Sequence, residues 1–358
     1  MASGADRLAR PQWSVEVDAL LQPFRRPGMP GVAVGIVRAG RLVHSAAAGL
    51  ADVEAGVPLD GRSNFRLASI AKQLTAAAIV KLVEEGRLRL DDTLGQVLPG
   101  FSGELAGITI EQLLQHRSGL PDYEDLMAAG YAGQIREPEI LALLQSQSAT
   151  LFPPGSAFRY SNSGYVLLGI VIERRSGMRF GQWLGSRLFA PIGMQHTTAF
   201  AIDASIPRRV YGYTEAGGRA QRTDQGSTSA TLGDGGVYSS IDDMAMWLAA
   251  LDDDRVLDAA QRRAMFMPVA DEATPGVGYG HGWFIDHING HLRHWHTGSS
   301  IGFRHKLVRF PQRELAVLVL SNLTRDDEPA LTLADAIAGI VDPELRIAGN
   351  APPEPVIR

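Results

Sequence analysis

The sequence predicts an α/β (α+β) fold: one antiparallel sheet built from both chain ends and flanked by helices, with a mostly helical insertion between them. Three observations predict it. A hairpin pattern occupies residues 31–49, strand patterns return after residue 279 around Asn289-Gly290, and apolar residues between these regions recur at helical spacing. Asn-Gly is the residue pair that a tight type I′ hairpin turn requires.

In chain order, residues 15–24 read as a short helix. GVAVGIV (31–37), a turn at Ala39-Gly40 and RLVHSAAAG (41–49) read as a β-hairpin. A helix follows over 69–85, with an Ala-, Leu- and Val-rich body closed by Gly86. ITIEQLLQH, EPEILALLQSQ and YVLLGIVIERRSG make 88–235 mostly helical. YGHGWFIDHI and HLRHWH flank the Asn-Gly turn, FRHKLVRF and ELAVLVLS supply two more strands, and a last helix covers 330–341. The expected division is a discontinuous sheet domain (1–87 plus 236–345), a helical domain (88–235) and a flexible Pro-rich tail (346–358). A crevice between the first two is the natural place for a ligand.

Composition excludes several functions. The 358 residues carry a net charge of −5 with no basic run, so no nucleic-acid surface is expected. There is no cysteine, which removes disulfides, thiolate metal sites and cysteine nucleophiles. No apolar stretch is long enough for a signal peptide or a membrane span, so no membrane partner is expected. As written, the chain reads as cytoplasmic; removal of a leader would make it periplasmic or secreted. The oligomeric state is left open.

Of the 34 basic residues only three are Lys, and one of them, Lys72, lies three positions after Ser69 in FRLASIAKQL. Three residues is nearly one helical turn, so the two side chains face the same way. Arg stays protonated and cannot accept a proton, whereas a buried Lys can. A Ser hydroxyl becomes a useful nucleophile only when a neighbour takes its proton. The predicted helix start also favours developing negative charge. The plain alternative is a solvated Lys72 with Ser69 as an N-cap.

Two further stretches supply partners: FRYSNSGY, with Tyr160-Ser161-Asn162, and WHTGSSIGF, with His296-Thr297-Gly298 on a predicted strand. Taken alone, Tyr160 and Asn162 also fit a strand-end Tyr and a turn former. With Ser69-x-x-Lys72 they resemble the three signatures of the serine β-lactamase and penicillin-binding superfamily. The Tyr-x-Asn form is similar to its class C β-lactamase and D-alanyl-D-alanine carboxypeptidase branch. The likeness runs from about 30 to 325 and includes LLQHRSGLPDY, FPPGSAFRYSNSGY and GDGGVYSSIDDMAMWL.

The resemblance implies a β-lactamase/transpeptidase-like fold and a cofactor-independent serine hydrolase working through an acyl-enzyme. By position, Ser69 matches the nucleophile and Lys72 the group that helps deprotonate it. Tyr160 matches the phenol that shuttles protons, its phenolate stabilised by nearby cations. Asn162 matches the amide that bonds substrate and Lys. The N–H groups of Ser69 and Ser299 match the oxyanion hole, where one donor is typically worth about 2.7–4 kcal/mol. Gly298 would let substrate lie along the strand edge.

One departure bears on the substrate. β-Lactamases of this branch usually carry Lys-Thr-Gly where this chain has His296-Thr297-Gly298, and neutral His offers no fixed charge for a carboxylate. The resemblance therefore implies esters or D-amino-acid amides and peptides (esterase, D,D-carboxypeptidase or D-aminopeptidase) before β-lactams. A class C-like β-lactamase and a penicillin-binding sensor that acylates without turnover are the alternatives. No Glu of the class A deacylation type is assignable. Arg304, beside the third motif, is a further candidate for a substrate carboxylate.

Six His fall between 281 and 305. Solvated hairpin His is expected there, before a metal site. Asp252-Asp253-Asp254 reads as a solvated or capping acidic loop, and GDGG lacks the phosphate-loop pattern.

Overall fold

Both ends of the chain meet in one sheet. The computed structural model describes residues 10–201, 205–270 and 272–347. Its main strands are β1 (Val32–Arg38), β2 (Arg41–Ala48), β3 (Val269–Ala270), β4 (Gly278–Tyr279), β5 (Phe284–Ile288), β6 (His291–Ser300), β7 (Phe303–Phe310) and β8 (Leu315–Ser321). They are ordered β3-β4-β5-β6-β7-β8-β1-β2, and every neighbouring pair is antiparallel. The seam between chain ends is β1 on β8, with Val34 opposite Val319 and Ile36 opposite Val317.

Period-2 alternation gives the sheet two apolar faces. Val32, Val34, Ile36, Val308, Val317 and Val319 form one buried cluster with Val17 of α1 (Gln12–Leu20) and Ile337 of the last helix. The intervening Ala33, Val37, Leu307, Leu318 and Leu320 join the other cluster, with α2 (Lys72–Glu84). Each fully buried aliphatic side chain contributes about 1.5–3 kcal/mol. Numbering on along the chain, α3 is Glu137–Gln145, α4 Asn162–Ser176, α5 Ile241–Ala250 and α6 Pro329–Val341. Gly35 of β1 is required for close packing, since a Cβ there would lie 2.5 Å from Ile241 of α5.

Some elements differ from the sequence reading. The first helix starts earlier, at Gln12, and gives way to a 3₁₀ turn at Gln22–Phe24, where Pro23 cannot continue α-helical bonding. The helix expected over 69–85 opens with a 3₁₀ turn, Ala68–Ala71, and becomes α-helical only at Lys72; Gly86, at φ +66°, closes it as expected. The 88–235 region holds α3 and α4 but also short strands. Thr198–Ala199 pairs with Val237–Ser239, and the Tyr213–Ala216 and Arg219–Arg222 hairpin turns at Gly217-Gly218 and pairs with Leu323–Thr324. Strands of two to four residues carry too little alternation to read. The Asn289-Gly290 hairpin forms with both residues at positive φ (50° and 83°). The tail proposed for 346–358 lies almost wholly outside the described residues.

A buried ion cluster joins α6 to the sheet. Asp335 of α6 contacts Arg293 and Lys306 at 2.7 Å each, and Arg293 also grips Asp286. Removing one partner of such a group strands a charge. Asp335→Asn is therefore expected to lower unfolding stability by about 3 kcal/mol, read as a fall in the urea midpoint at unchanged slope.

Candidate active site

Ser69 is placed by the chain before it. Phe65–Arg66 pairs with Val237–Ser239, Leu67 N–H donates to the Val237 carbonyl at 2.8 Å, and Arg66 Nη1 donates to the Ser229 carbonyl at 2.7 Å. The chain then turns sharply: Ala68 takes the left-handed conformation, φ +47°, and Ser69 follows in the 3₁₀ turn, half-buried. In a 3₁₀ turn residues i and i+3 eclipse, which brings Lys72 directly over Ser69.

Lys72 is fully buried, and its Nζ meets three oxygens: Ser69 Oγ at 3.0 Å, Asn162 Oδ1 at 2.8 Å and the Asp234 carbonyl at 2.8 Å. Burial is the main influence on its pKa and lowers it from 10.5 to about 8, against the opposing pull of Asp234, Asp122 and Glu124. The arrangement has a chemical consequence. A neutral amine has two N–H donors and one lone pair. Asn162 Oδ1 and the Asp234 carbonyl can only accept, so they take the two donors and leave the lone pair for the Ser69 proton.

Asn162 opens α4 and is held at three points. Its N–H donates to Asp122 Oδ2 at 2.7 Å, its Nδ2 to Glu124 Oε1 at 3.0 Å, and its Oδ1 accepts from Lys72. The Glu124 bond fixes which way the amide faces.

Tyr160, two residues earlier, has its ring 5.0 Å from Lys72 Nζ and stacks near Phe284 and His116. It is 9% exposed, and its hydroxyl has no hydrogen-bond partner among the described residues. Burial holds its pKa well above the usual 10, the Ser69 hydroxyl pulling the other way. Burial therefore favours the phenol at rest over the phenolate that the resemblance implies.

His296 is buried and neutral, its pKa lowered to about 3 chiefly by burial. Its Nδ1 lies 2.6 Å from the Thr297 carbonyl, which can only accept, so Nδ1 carries the proton and Nε2 accepts from Tyr279 Oη at 3.1 Å. Thr297 is half-buried, Gly298 buried and Ser299 exposed. From His296 onward β6 outlasts its partner β5, whose pairing stops at Phe284 opposite Trp295, so one edge lacks a strand partner among the described residues. The missing side chain of Gly298 also has a use in packing. A Cβ there would lie 2.5 Å from the Leu67 carbonyl, so this glycine lets β6 press against the turn that carries Ser69.

Two further expectations change. Arg304 is not free for a substrate: it bonds Glu328 and the Ser300 and Phe303 carbonyls. The His cluster is mostly core rather than solvated, with His281, His294, His296 and His305 all buried and held neutral by that burial. The acidic loop is solvated as expected, with Asp252 and Asp254 exposed and Asp253 half-buried, and each also pairs with an Arg (309, 255 and 262).

The sequence reading missed Asp122, Glu124, Tyr279 and the Asp234 carbonyl. Asp122 and Asp234 lie within stretches that carry the family likeness. Glu124 sits just past one of them, and Tyr279 gave no signal.

A serine hydrolase is what this sheet-and-helix fold and this Ser–Lys pair define. The chain belongs to the Beta-lactamase family, whose model matches residues 17–342. It is 30% identical over 307 residues to penicillin-binding protein 4* of Bacillus subtilis, covering 81% of this chain and 67% of that protein. It is 29% identical over 310 residues to a D-aminopeptidase of Cereibacter sphaeroides, covering 86% of this chain but 58% of that protein. Among solved structures, a D-amino acid amidase from Ochrobactrum anthropi SV3, complexed with L-phenylalanine amide, superposes with a TM-score of 0.77 at 26% identity, covering 93% and 97% of the two chains. A penicillin-binding protein from Bacillus halodurans gives 0.77 at 27% identity, covering 91% and 98%. No helix among the described residues is long and apolar enough to cross a membrane.

The neutral form of Lys72 is the one able to take a proton. Below about pH 8 it is protonated, so the reactivity of Ser69 is expected to rise with pH, about tenfold per unit, and level off above that value. The nearby His296 and His305 titrate near 3 and 4 and add no second limb at neutral pH. The check is the pH profile of kcat/KM for an uncharged ester, with Lys72→Arg expected to abolish the rise.

Proposed function

We propose that the chain cleaves esters and the amide or peptide bonds of D-amino acids through an acyl-enzyme at Ser69. The observation that carries this reading is the amine of Lys72, buried against two fixed acceptors with its remaining position on Ser69 Oγ. Lys72 takes the Ser69 proton as Oγ attacks the carbonyl carbon. The oxyanion sits between the N–H groups of Ser69 and Ser299, aligned by the contact of Gly298 with Leu67. Tyr160, whose hydroxyl has no hydrogen-bond partner among the described residues, gives its proton to the departing alcohol or amine and regains one from the Lys72 ammonium. Water then attacks the ester by the reverse sequence, and Ser69 regains its proton.

The D-amino-acid preference is supported by relatives named D-aminopeptidase and D-amino acid amidase. β-Lactams are the poorer substrates, because the third motif offers neutral His296 in place of a cation and Arg304 is committed to Glu328.

The test compares p-nitrophenyl butyrate, D-alanine p-nitroanilide and a fluorescent penicillin on wild type and Ser69→Ala. Wild type should turn over the first two, with Ser69→Ala slower by at least about a thousandfold, and penicillin should label Ser69 without rapid turnover. Wild type showing neither turnover nor covalent label would overturn the proposal.

A further inference from the structure

Tyr160 is anchored at its root and not at its tip. Its hydroxyl has no hydrogen-bond partner among the described residues, yet acyl transfer needs that oxygen within reach of the departing group. One residue holds the root from three directions. His116 lies just past the short helix Ile110–Leu114 and is 1% exposed. Its carbonyl accepts from the Arg159 N–H at 2.9 Å, and its Nδ1 accepts from the Ser161 N–H at 3.1 Å. The residues on either side of Tyr160 are thus both tied to His116. The imidazole centre lies 4.2 Å from that of the Tyr160 ring, with Tyr279 at 4.6 Å and Tyr165 at 5.1 Å closing round it.

A residue that only filled this space would not be a histidine. The Ser161 N–H can only donate, so Nδ1 is bare and the ring proton sits on Nε2. That Nε2 is buried with no hydrogen-bond partner among the described residues, and the His116 backbone lies in the left-handed region at φ +56°. Both features are unfavourable, and a phenylalanine would fill the volume with no stranded donor. What the imidazole adds is an acceptor for a backbone N–H beside Tyr160. Burial, and then repulsion from Lys72 and His296, hold its pKa well below the usual 6.5, so this acceptor persists at neutral pH.

We infer that His116 is the positioning residue of Tyr160: by taking the N–H groups on both sides of it, His116 fixes where the phenol delivers its proton, and so sets how well the site expels groups that leave poorly as anions. This rests on the proposed acyl transfer at Ser69 with Tyr160 as its acid. In that step the C–O or C–N bond of the tetrahedral intermediate breaks and the Tyr160 proton passes to the departing oxygen or nitrogen. The phenolate then takes a proton from the Lys72 ammonium. His116 neither gains nor loses one. A group stable as an anion, such as p-nitrophenolate, needs no such delivery, whereas an alkoxide does.

The test measures kcat/KM for ethyl butyrate and p-nitrophenyl butyrate, which share an acyl group. Labelling of Ser69 by a fluorophosphonate is a separate measure of the nucleophile. His116→Phe keeps a ring but leaves the Ser161 N–H without its acceptor. It should lose at least about tenfold more on ethyl butyrate than on p-nitrophenyl butyrate, with labelling within about twofold of wild type. His116→Asn, whose Oδ1 can accept where Nδ1 did, should recover most of that difference. Tyr160→Phe should show the same selective loss, and adding His116→Phe to it should cost less than about twofold more.

Similar losses on both esters, with slower labelling, would mean that His116 serves only the fold and would overturn the inference. So would an Asn variant no better than Phe, or a further tenfold loss in the Tyr160→Phe background. If His116→Phe spares ethyl butyrate while Tyr160→Phe impairs it, the inference fails and the role of Tyr160 stands. A wild type that cleaves only the p-nitrophenyl ester, or a Tyr160→Phe variant with an unchanged ratio of the two rates, removes proton delivery by Tyr160 and the inference with it. Absence of both labelling and turnover in wild type removes acyl transfer at Ser69 itself.

Discussion

The burial of one amine governs this structure. Lys72 sits at zero exposure with its pKa down at about 8, which amounts to on the order of 3 kcal/mol less favourable protonation than in water. The sign follows from the direction. The unfolded chain holds this proton up to about 10.5 and the folded chain releases it near 8. Folding is therefore penalised in full below about 8, and the penalty fades as pH rises towards 10.5. Three well-placed oxygens offset it, since each donor of the buried ammonium has a partner. At neutral pH the free amine is the minor form. An arginine could not titrate in this way, and an exposed lysine would remain an ammonium.

Such an amine must be enclosed from several directions, and the fold supplies a different part of the chain for each. The 3₁₀ turn and α2 bring Ser69 and Lys72, α4 brings Asn162, and the 233–236 segment brings the Asp234 carbonyl. Close backbone approach does the enclosing. Gly282 fits against Gln73, where a Cβ would lie 2.7 Å from its Cα, and Gly233 fits against the Tyr165 carbonyl, where a Cβ would lie 2.2 Å away. A side chain at either position would push α2 or α4 off the site. The seam between β1 and β8 holds this together from behind, because it ties the strand order of the last third of the chain to the hairpin that precedes Ser69.

What could be read from the sequence follows the physics of each feature. The sheet was legible because alternation and the Asn289-Gly290 turn are properties of neighbouring residues. The Ser69–Lys72 contact was legible because a spacing of three survives the change from α-helix to 3₁₀. Other features depend on environment and were not. The Asp234 carbonyl is a backbone atom, and its role comes from where the chain runs. An exposed Glu124 looks like any surface carboxylate until Asn162 is seen against it. The protonation of Tyr160 and His296 depends on burial, and histidine, intermediate in its tendency to be buried, gives no sign in the sequence of which members of 281–305 are core.

The neutrality of His296 then fits the rest of the site. A lysine at that position would place a second ammonium near Lys72, and like charges disfavour one another. That influence already appears in the lowering of His296 by Lys72. An uncharged imidazole, locked between the Thr297 carbonyl and Tyr279, leaves Lys72 as the one titrating cation among Asp122, Glu124 and Asp234. Three carboxylates acting on one amine leave the charge balance around the proposed nucleophile negative. That polarity is the reverse of what capture of a substrate carboxylate would need, and it follows from replacing one side chain in the third motif and committing Arg304 elsewhere.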